Sequence, residues 1–246
     1  MNNMRAKPYE KLAFVYDHLM SHVNYDLWAD YIYDLSKPFL NKKSSILELA
    51  GGNGRFSDIF LKFYPNIIIS DRSFEMLSSG KNNLSKVCCE MQSLPFKSKF
   101  DFIYSTFDSI NYLTSKKELL KLFTEIYNIL SEEGIFTFDV SLEKNSLKHA
   151  GVPVRTSRSS KIRYKHLSLY NKSSRIHKNI FEIKFNGNTY KEIHKQKIYP
   201  FELYFDLLER ANLFVINCYE SFSFEKAKPS SQRAQFVVRK FNNAVI

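Results

Sequence analysis

Apolar positions along the chain recur with two alternating periods. Short apolar runs bounded by turn residues stand at 46–50, 66–70, 86–90, 100–105 and 134–140, and each predicts a buried strand. Between them, apolar residues repeat every three or four positions. Phe56, Ile59, Phe60 and Phe63 predict a helix over 54–64, and a second is predicted over 73–79. A third, over 115–130, has the core stripe Leu119, Phe123, Ile126 and Leu130 and opens on the capping-box pattern Ser115-x-x-Glu118. Between 86–90 and 100–105 the pattern allows only a short irregular crossover. Two amphipathic helices are predicted ahead of the first strand. One spans 8–20, with Leu12, Tyr16 and Leu19 inward; the other spans 25–36, with Leu27, Tyr31 and Leu35 inward. Pro8 suits an early helix position, and Pro38 ends the second helix.

From about 144 the pattern changes. Residues 161–170, 175–185 and 189–199 alternate or are rich in strand formers, with turn signals at 171–174 and 186–188. They predict a small antiparallel meander inserted after the fifth strand. A helix follows Pro200, with Leu203, Leu207 and Leu208 inward, and two strands, 213–219 and 235–239, end the pattern. Their connection, 221–234, is polar and is expected to be mobile. Strands alternating with helices predict an α/β fold with a parallel sheet, whose ligands bind at the carboxyl ends of the strands. Glu48, Asp71, Glu90 and residues 105–108 all stand at such ends.

Composition adds three points. The 246 residues are 44% hydrophobic and 15% aromatic, enough for a substantial core. The net charge of +11 is regional. Residues 144–200 hold 14 Lys/Arg against two acids, Glu182 and Glu192, whereas the rest of the chain holds 22 against 23. Cys88, Cys89 and Cys218 suggest no disulfide framework, and the adjacent pair reads as small buried hydrophobes. The N-terminus has no apolar leader and no run approaches 18 apolar residues, so the chain is expected to be cytoplasmic and free of membrane spans. The histidines and cysteines show no metal-ligand spacing, so no metal is expected.

The candidate chemistry starts at 46–54. The apolar run Ile46-Leu47-Glu48-Leu49 is followed at once by Ala50-Gly51-Gly52-Asn53-Gly54 and then by a helix. Such a turn lets a ligand approach bare backbone beside the free N–H groups of a helix start. A dinucleotide turn needs G-x-G-x-x-G/A, and Ser57 stands where its third small residue belongs. Asp71 lies 17 residues past Gly54, near the ~20-residue spacing of an acid that grips a ribose diol.

The better match is by resemblance. Glu48-Leu49-Ala50-Gly51-Gly52-Asn53-Gly54 resembles the first motif of the class I S-adenosylmethionine-dependent methyltransferases, with Ala50 where many members carry Gly. The run Asp71-Arg72-Ser73-Phe74-Glu75-Met76-Leu77 resembles their second motif. Glu90-Met91-Gln92-Ser93-Leu94-Pro95-Phe96 resembles their acid-x-x-x-Leu-Pro-Phe segment, and Thr106 and Phe107 follow the fourth strand. The opening Tyr16-Asp17-His18-Leu19-Met20, then Asn24-Tyr25-x-x-Trp28, and Asp108-Ser109-Ile110-Asn111-Tyr112-Leu113 are similar to a bacterial group with an antiparallel insert before the last helix.

The resemblance implies a Rossmann-like seven-stranded sheet, mostly parallel, with an antiparallel strand in the C-terminal hairpin. Residues 1–143 and 200–246 would bind S-adenosylmethionine, 1–40 would cover it, and 144–199 would form a substrate lid. The resemblance places the cofactor on Tyr16, Trp28, Glu48, Ala50, Gly51, Gly52, Gly54, Asp71, Arg72, Met76, Glu90, Met91, Thr106 and Phe107. Glu48 would face its amino group, Asp71 its ribose, and Glu90 and Met91 its adenine.

Methyl transfer from a sulfonium mainly needs positioning and dryness, so no catalytic residue is obligatory. Asp108, Asn111 and Asp139 are candidates to orient or deprotonate a nucleophile. Tyr112, Arg163, His166, His194 and Tyr199 are candidates to face the acceptor. A small-molecule acceptor leads. RNA recognised by the basic insert is the alternative, and a non-catalytic S-adenosylmethionine-binding protein is a third reading. Monomer and homodimer both stay open.

Overall fold

The computed structural model describes residues 3–151, 155–158 and 163–241, of which Asn3 and 155–158 are described by backbone alone. The elements in chain order are β1 (Asn3–Arg5), α1 (Tyr16–Leu19), α2 (Tyr25–Ser36), β2 (Ile46–Leu49), α3 (Arg55–Phe60), β3 (Ile67–Asp71), α4 (Phe74–Ser79), β4 (Ser85–Cys88), β5 (Phe100–Ser105), α5 (Lys116–Ile129) and β6 (Leu130–Ser141). They continue with α6 (Glu143–His149), β7 (Arg155–Arg158), β8 (Arg163–Asn171), β9 (Ile176–Phe185), β10 (Asn188–Lys197), α7 (Phe201–Arg210), β11 (Leu213–Glu220) and β12 (Arg233–Lys240).

Seven strands form one sheet in the order β11-β12-β6-β5-β2-β3-β4. β12 runs antiparallel to both of its neighbours, and the pairs from β6 to β4 are parallel. The fold is therefore the α/β, Rossmann-like sheet with an antiparallel strand in the closing hairpin. Parallel strands buried on both faces read as continuous apolar runs, and all four residues of β2 are buried. Helices cover the two faces. On one, Leu119, Phe123 and Ile126 of α5 join Tyr204 and Leu208 of α7. On the other, Trp28, Ile32 and Leu35 of α2 join Phe56 and Phe60 of α3. The chain crosses from one side of β2 to the other between β4 and β5. That switch point opens a crevice at the carboxyl end of β2.

A second sheet, β1-β10-β9-β8-β7, stands over the same strand ends. β8, β9 and β10 form the expected antiparallel meander. β1, from the other end of the chain, adds to β10 in parallel, which the periodicity did not announce because the strand is three residues long. Positions 161 and 162 of the expected first strand lie outside the described residues. Asn111 holds this sheet to the main one. Its Nδ2 donates to the Lys197 carbonyl at 2.8 Å, and its Oδ1 accepts from the Ser141 N–H at 2.9 Å.

Several expectations are corrected. The predicted helix 8–20 is a turn at 8–11, a 3₁₀ turn (Leu12–Val15) and the single-turn α1. The reason is tertiary: Tyr9 takes a left-handed φ of 67°, and the buried Glu192 carboxylate captures the N–H groups of Tyr9, Lys11 and Leu12. In α2, Leu27 points outward, 55% exposed, and the inward face carries Trp28, Ile32 and Leu35. Cys88 is exposed and Cys89 half-buried, because β4 is the edge strand. The connection before β12 is packed as well as polar: Phe222 lies edge-on to Trp28 at 4.5 Å, and Tyr31 Oη donates to the Ser223 carbonyl.

Phe236 of β12 is fully buried and stacks on Phe138 of β6 at 4.9 Å, beside Tyr204 and Phe205. Phe236→Ala removes the ring that joins the hairpin to α7. It is expected to destabilise the fold by about 3–5 kcal/mol in urea unfolding, the cost of a large core cavity.

Candidate functional site

The crevice is a cavity of about 650 Å³, within the ~300–1,000 Å³ range of small-ligand sites. Its floor is the turn after β2. Ala50 and Gly52 both adopt left-handed φ, 54° and 58°. A Cβ on Gly51 would stand 2.9 Å from Glu48 Oε2, and one on Gly52 would stand 2.9 Å from Met76 Cε, so side chains are excluded where the backbone faces the cavity. Gly54 plays a different part. It lies off the cavity, and a Cβ there would meet Ile69 and Asn82. It lets α3 pack closely on β3.

Asp71 locks this turn. Its Oδ2 accepts the Gly52 N–H at 2.9 Å and its Oδ1 accepts the Ser73 N–H at 2.7 Å. Each oxygen keeps a further lone pair. Burial raises the Asp71 carboxyl above the usual carboxylate range, against the backbone N–H groups of Ser73, Gly52 and Arg72 and the Arg72 charge, which pull it down. Glu48 is 1% exposed, bonded to the Ser57 hydroxyl. Burial, with the Asp71 charge adding to it, pushes the Glu48 carboxyl up to about 7.

The walls hold most of the sequence candidates. Tyr16, Trp28, Arg72, Met76, Glu90, Met91, Thr106, Phe107, Asp108 and Tyr112 all line the cavity. Trp28 lies 4.5 Å from the Phe107 ring. Phe107 and Asp108 are consecutive non-glycine residues with left-handed φ, 60° and 49°. Such strain persists only where surroundings enforce it. Here the Asp108 N–H donates to Asp139 at 2.9 Å, and the Asp108 carboxylate is held by the Ser141 hydroxyl and Arg233.

Besides Gly54, four candidates are placed elsewhere. Asn111 is fully buried behind the wall, its amide spent on the two backbone groups that hold the sheets together. Asp139 is 1% exposed and paired with Arg233; burial raises its carboxyl, with Arg233 opposing. It steadies the strained turn and does not face the cavity. Tyr199 is a core residue whose hydroxyl donates to the Leu113 carbonyl at 2.9 Å. Arg163 stands on the outer face of the second sheet.

That sheet sorts its charges by parity. His166 and Ser168 of β8, His177, Asn179 and Phe181 of β9, and His194 and Gln196 of β10 face the cavity. Arg163, Lys165, Lys178, Lys184 and Lys195 take the alternate positions and are exposed. Among the inward residues, His166 pairs with Asn179 at 2.8 Å, and Ser168 with His177 at 2.7 Å. Sequence reasoning singled out His166 and His194 but missed His177 and Asn179, whose two-residue spacing on β9 was the available signal. It also missed Tyr9, Gln92 and Arg233, which line the cavity from three separate segments. No group of three or more potential metal ligands occurs among the described residues. No helix among the described residues is long and apolar enough to cross a membrane.

Comparison with known proteins agrees with this geometry. A family profile described as "Methyltransferase domain" matches residues 46–134, the stretch from β2 into β6. The chain is 30% identical to "Putative methyltransferase YqeM" of Bacillus subtilis (strain 168) over 252 residues, covering 96% of this chain and 99% of that protein. Among solved structures, an S-adenosylmethionine-dependent methyltransferase from Clostridium acetobutylicum ATCC 824 superposes with a TM-score of 0.80 at 23% identity, covering 95% of this chain and 99% of the other. The sugar N-methyltransferase KedS8 from Streptoalloteichus sp ATCC 53650 superposes with a TM-score of 0.75 at 13% identity, covering 92% of each chain. The glycine cradle and the Asp71 lone pairs fit S-adenosylmethionine, and the chain belongs to the class I S-adenosylmethionine-dependent methyltransferases.

Proposed function

We propose that this methyltransferase acts on an N or O nucleophile of a small-molecule acceptor, bound between the cofactor site and the inner face of the second sheet. The cofactor supplies an activated methyl group, and the protein supplies position and dryness. The observation that carries the reading is the parity of that sheet. Among the described side chains of β8 to β10, the face over the cavity is built mainly of His, Ser, Asn and Gln, with Glu192 as its buried charge, and the lysines take the opposite face. An RNA footprint on this sheet that delivered a base to the cavity would need the sheet's own cations on that face. KedS8, whose name gives a sugar acceptor, shares the fold and supports the small-molecule reading.

In the same reading, Asp71 grips the ribose diol and Gly51 and Gly52 lie along the methionine part. Glu48 faces the ammonium, and Met91 packs on the adenine beside Glu90. Gln92 adds an acceptor for the adenine amine, since its Oε1 is buried without a partner. Tyr16 and Trp28 cover the cofactor, as in the bacterial group that the N-terminal motif and insert resemble. The cytoplasm is the proposed location.

Three measurements test this. Asp71→Ala removes two charge-assisted bonds and frees Gly52, so calorimetry is expected to show S-adenosylmethionine binding weakened on the order of a hundredfold or more. Undiminished binding would place the cofactor elsewhere. Glu48 gives a pH signature. Its carboxyl near 7 is protonated in the free protein at lower pH, and the cofactor's ammonium favours the charged form, so binding releases a proton. Affinity is expected to rise with pH up to about 7 and then level, by at most about tenfold per unit, and Glu48→Gln should flatten the rise. For the acceptor, a panel of amino sugars, aliphatic amines and phenols is expected to yield S-adenosylhomocysteine with at least one member. Steeply salt-dependent RNA binding, with turnover on RNA and on no panel member, would replace the small molecule by RNA.

A further inference from the structure

The geometry points to a directed proton relay at the acceptor end of the cavity, running from Tyr9 through Tyr112 to His194 and backed by Glu192. It rests on the methyltransferase reading above and supplies what that reading lacks, a destination for the acceptor's proton.

The direction follows from counting donors. Glu192 is fully buried, and three backbone N–H groups and one imidazole nitrogen converge on its two oxygens. Oε1 takes the N–H groups of Lys11 at 2.6 Å and Leu12 at 2.9 Å; Oε2 takes the Tyr9 N–H at 2.8 Å and His194 Nε2 at 3.0 Å. The three backbone N–H groups take three of the four acceptor positions of a carboxylate, and the fourth faces the imidazole. With Glu192 as a carboxylate, which only accepts, His194 Nε2 carries the hydrogen and Nδ1 carries a lone pair. That lone pair faces the Tyr112 hydroxyl at 3.1 Å, so Tyr112 donates to it. Tyr112 has one proton, already given. The 2.8 Å bond between the two phenols must then be donated by Tyr9. Every link points the same way, and Tyr9 Oη keeps lone pairs to take a proton from the cavity, which both tyrosines line.

The surroundings suit transfer over storage on oxygen. Burial raises both phenols well above their ordinary range, so neither rests as a phenolate. The rings of Tyr9 and Phe181 stand edge-on to His194 at 4.7 and 5.2 Å and exclude water from it. The charged and titratable groups facing the chain are Glu192, Tyr16 edge-on to Tyr9 at 6.1 Å, Arg72 over the Tyr112 ring at 5.8 Å, and Asp71 and Asp108 at the cavity edge. In the reaction the acceptor's N–H or O–H bond breaks and its electron pair stays on the nucleophile. That nucleophile bonds the methyl carbon, and sulfur keeps the pair of the bond it loses. The proton goes to Tyr9 Oη, the Tyr9 proton to Tyr112, and the Tyr112 proton to His194 Nδ1, leaving an imidazolium against the Glu192 carboxylate.

Nitrogen NMR on the full chain labelled with ¹⁵N-histidine tests the relay without an acceptor, using His194→Gln to identify the signal. The expected result is the Nε2–H tautomer. Tyr112→Phe should move the Nδ1 resonance toward its non-hydrogen-bonded position, whereas Tyr9→Phe, one link further out, should leave it in place. An Nδ1–H tautomer, a wild-type imidazolium at neutral pH, or equal responses to the two substitutions would overturn the relay. Should either variant fail to fold by circular dichroism, the wild-type tautomer decides. With the panel member that turns over, Tyr112→Phe is expected to lower kcat about a hundredfold or more and leave the KM for S-adenosylmethionine unchanged. An unchanged kcat would show that the wire is not used. Absence of any turnover would fail the small-molecule reading while the tautomer still decides the wire.

Discussion

One buried carboxylate, Glu192, joins parts of the chain that are far apart in sequence. It belongs to the second sheet, yet three of its four partners are backbone N–H groups of the first dozen residues. Buried amides without an acceptor cost about 1–3 kcal/mol each, so the N-terminal segment has a strong reason to stay on this strand. Its docking explains why the predicted first helix is broken. A regular helix would satisfy those amides internally only after its first turn, and Glu192 satisfies them at once. The consequence is spatial. With the segment docked, Leu12 and Val15 pack on Phe181 and Ile183, and Tyr9 and Tyr16 wall the cavity.

The same arrangement ties closure to chemistry. Tyr9 reaches Tyr112 only because its own N–H is held by Glu192, the residue that also fixes the His194 tautomer. Lifting the N-terminal segment would remove the entry point of the proton path and three of the four donors around its far end. Dryness and proton acceptance therefore arrive together, and a sulfonium methyl group is best exposed to a nucleophile when both hold. The strained pair Phe107 and Asp108 serves the other wall. Arg233 and Asp139 hold that turn rigid, and it presents Phe107 to Trp28 and leads into the short helical turn that carries Tyr112.

The main sheet was legible because its signals are local. The run from Ile46 to Gly54 shows strand, turn and helix start in nine residues, and Asp71 ends the next strand at a readable distance. The meander was legible from alternation. What the sequence concealed depends on pairings across many residues. Glu192 looked like one of two acids in a basic stretch, and nothing near it says that its partners are residues 9–12. Asn111, Asp139 and Tyr199 sit beside motifs or strand ends that suggested the cavity, yet strand alternation or a tertiary bond turns each into the wall behind it. Arg233 lies in a hairpin opening that has no motif, and only the antiparallel pairing of β12 with β6 brings it to Asp139.

The regional charge then takes on a different meaning. Read as a run, fourteen basic residues in 144–200 invite a polyanion. Read with the register in hand, the described strands of that stretch, β8 to β10, have two faces with opposite tasks. Lys165 pairs with Glu182, and Leu169 with Lys178, on the face away from the cavity. His166, Asn179 and His194 share the inner one. Imidazoles, amides and hydroxyls can donate or accept according to need, whereas lysines only donate. An inner face built from such groups can recognise a neutral acceptor rich in hydroxyl or amino groups and still accept a proton from it. An inner face of lysines would recognise anions and could take no proton while charged. Among the described side chains, histidine inside and lysine outside is the arrangement on which the proposed small-molecule acceptor rests.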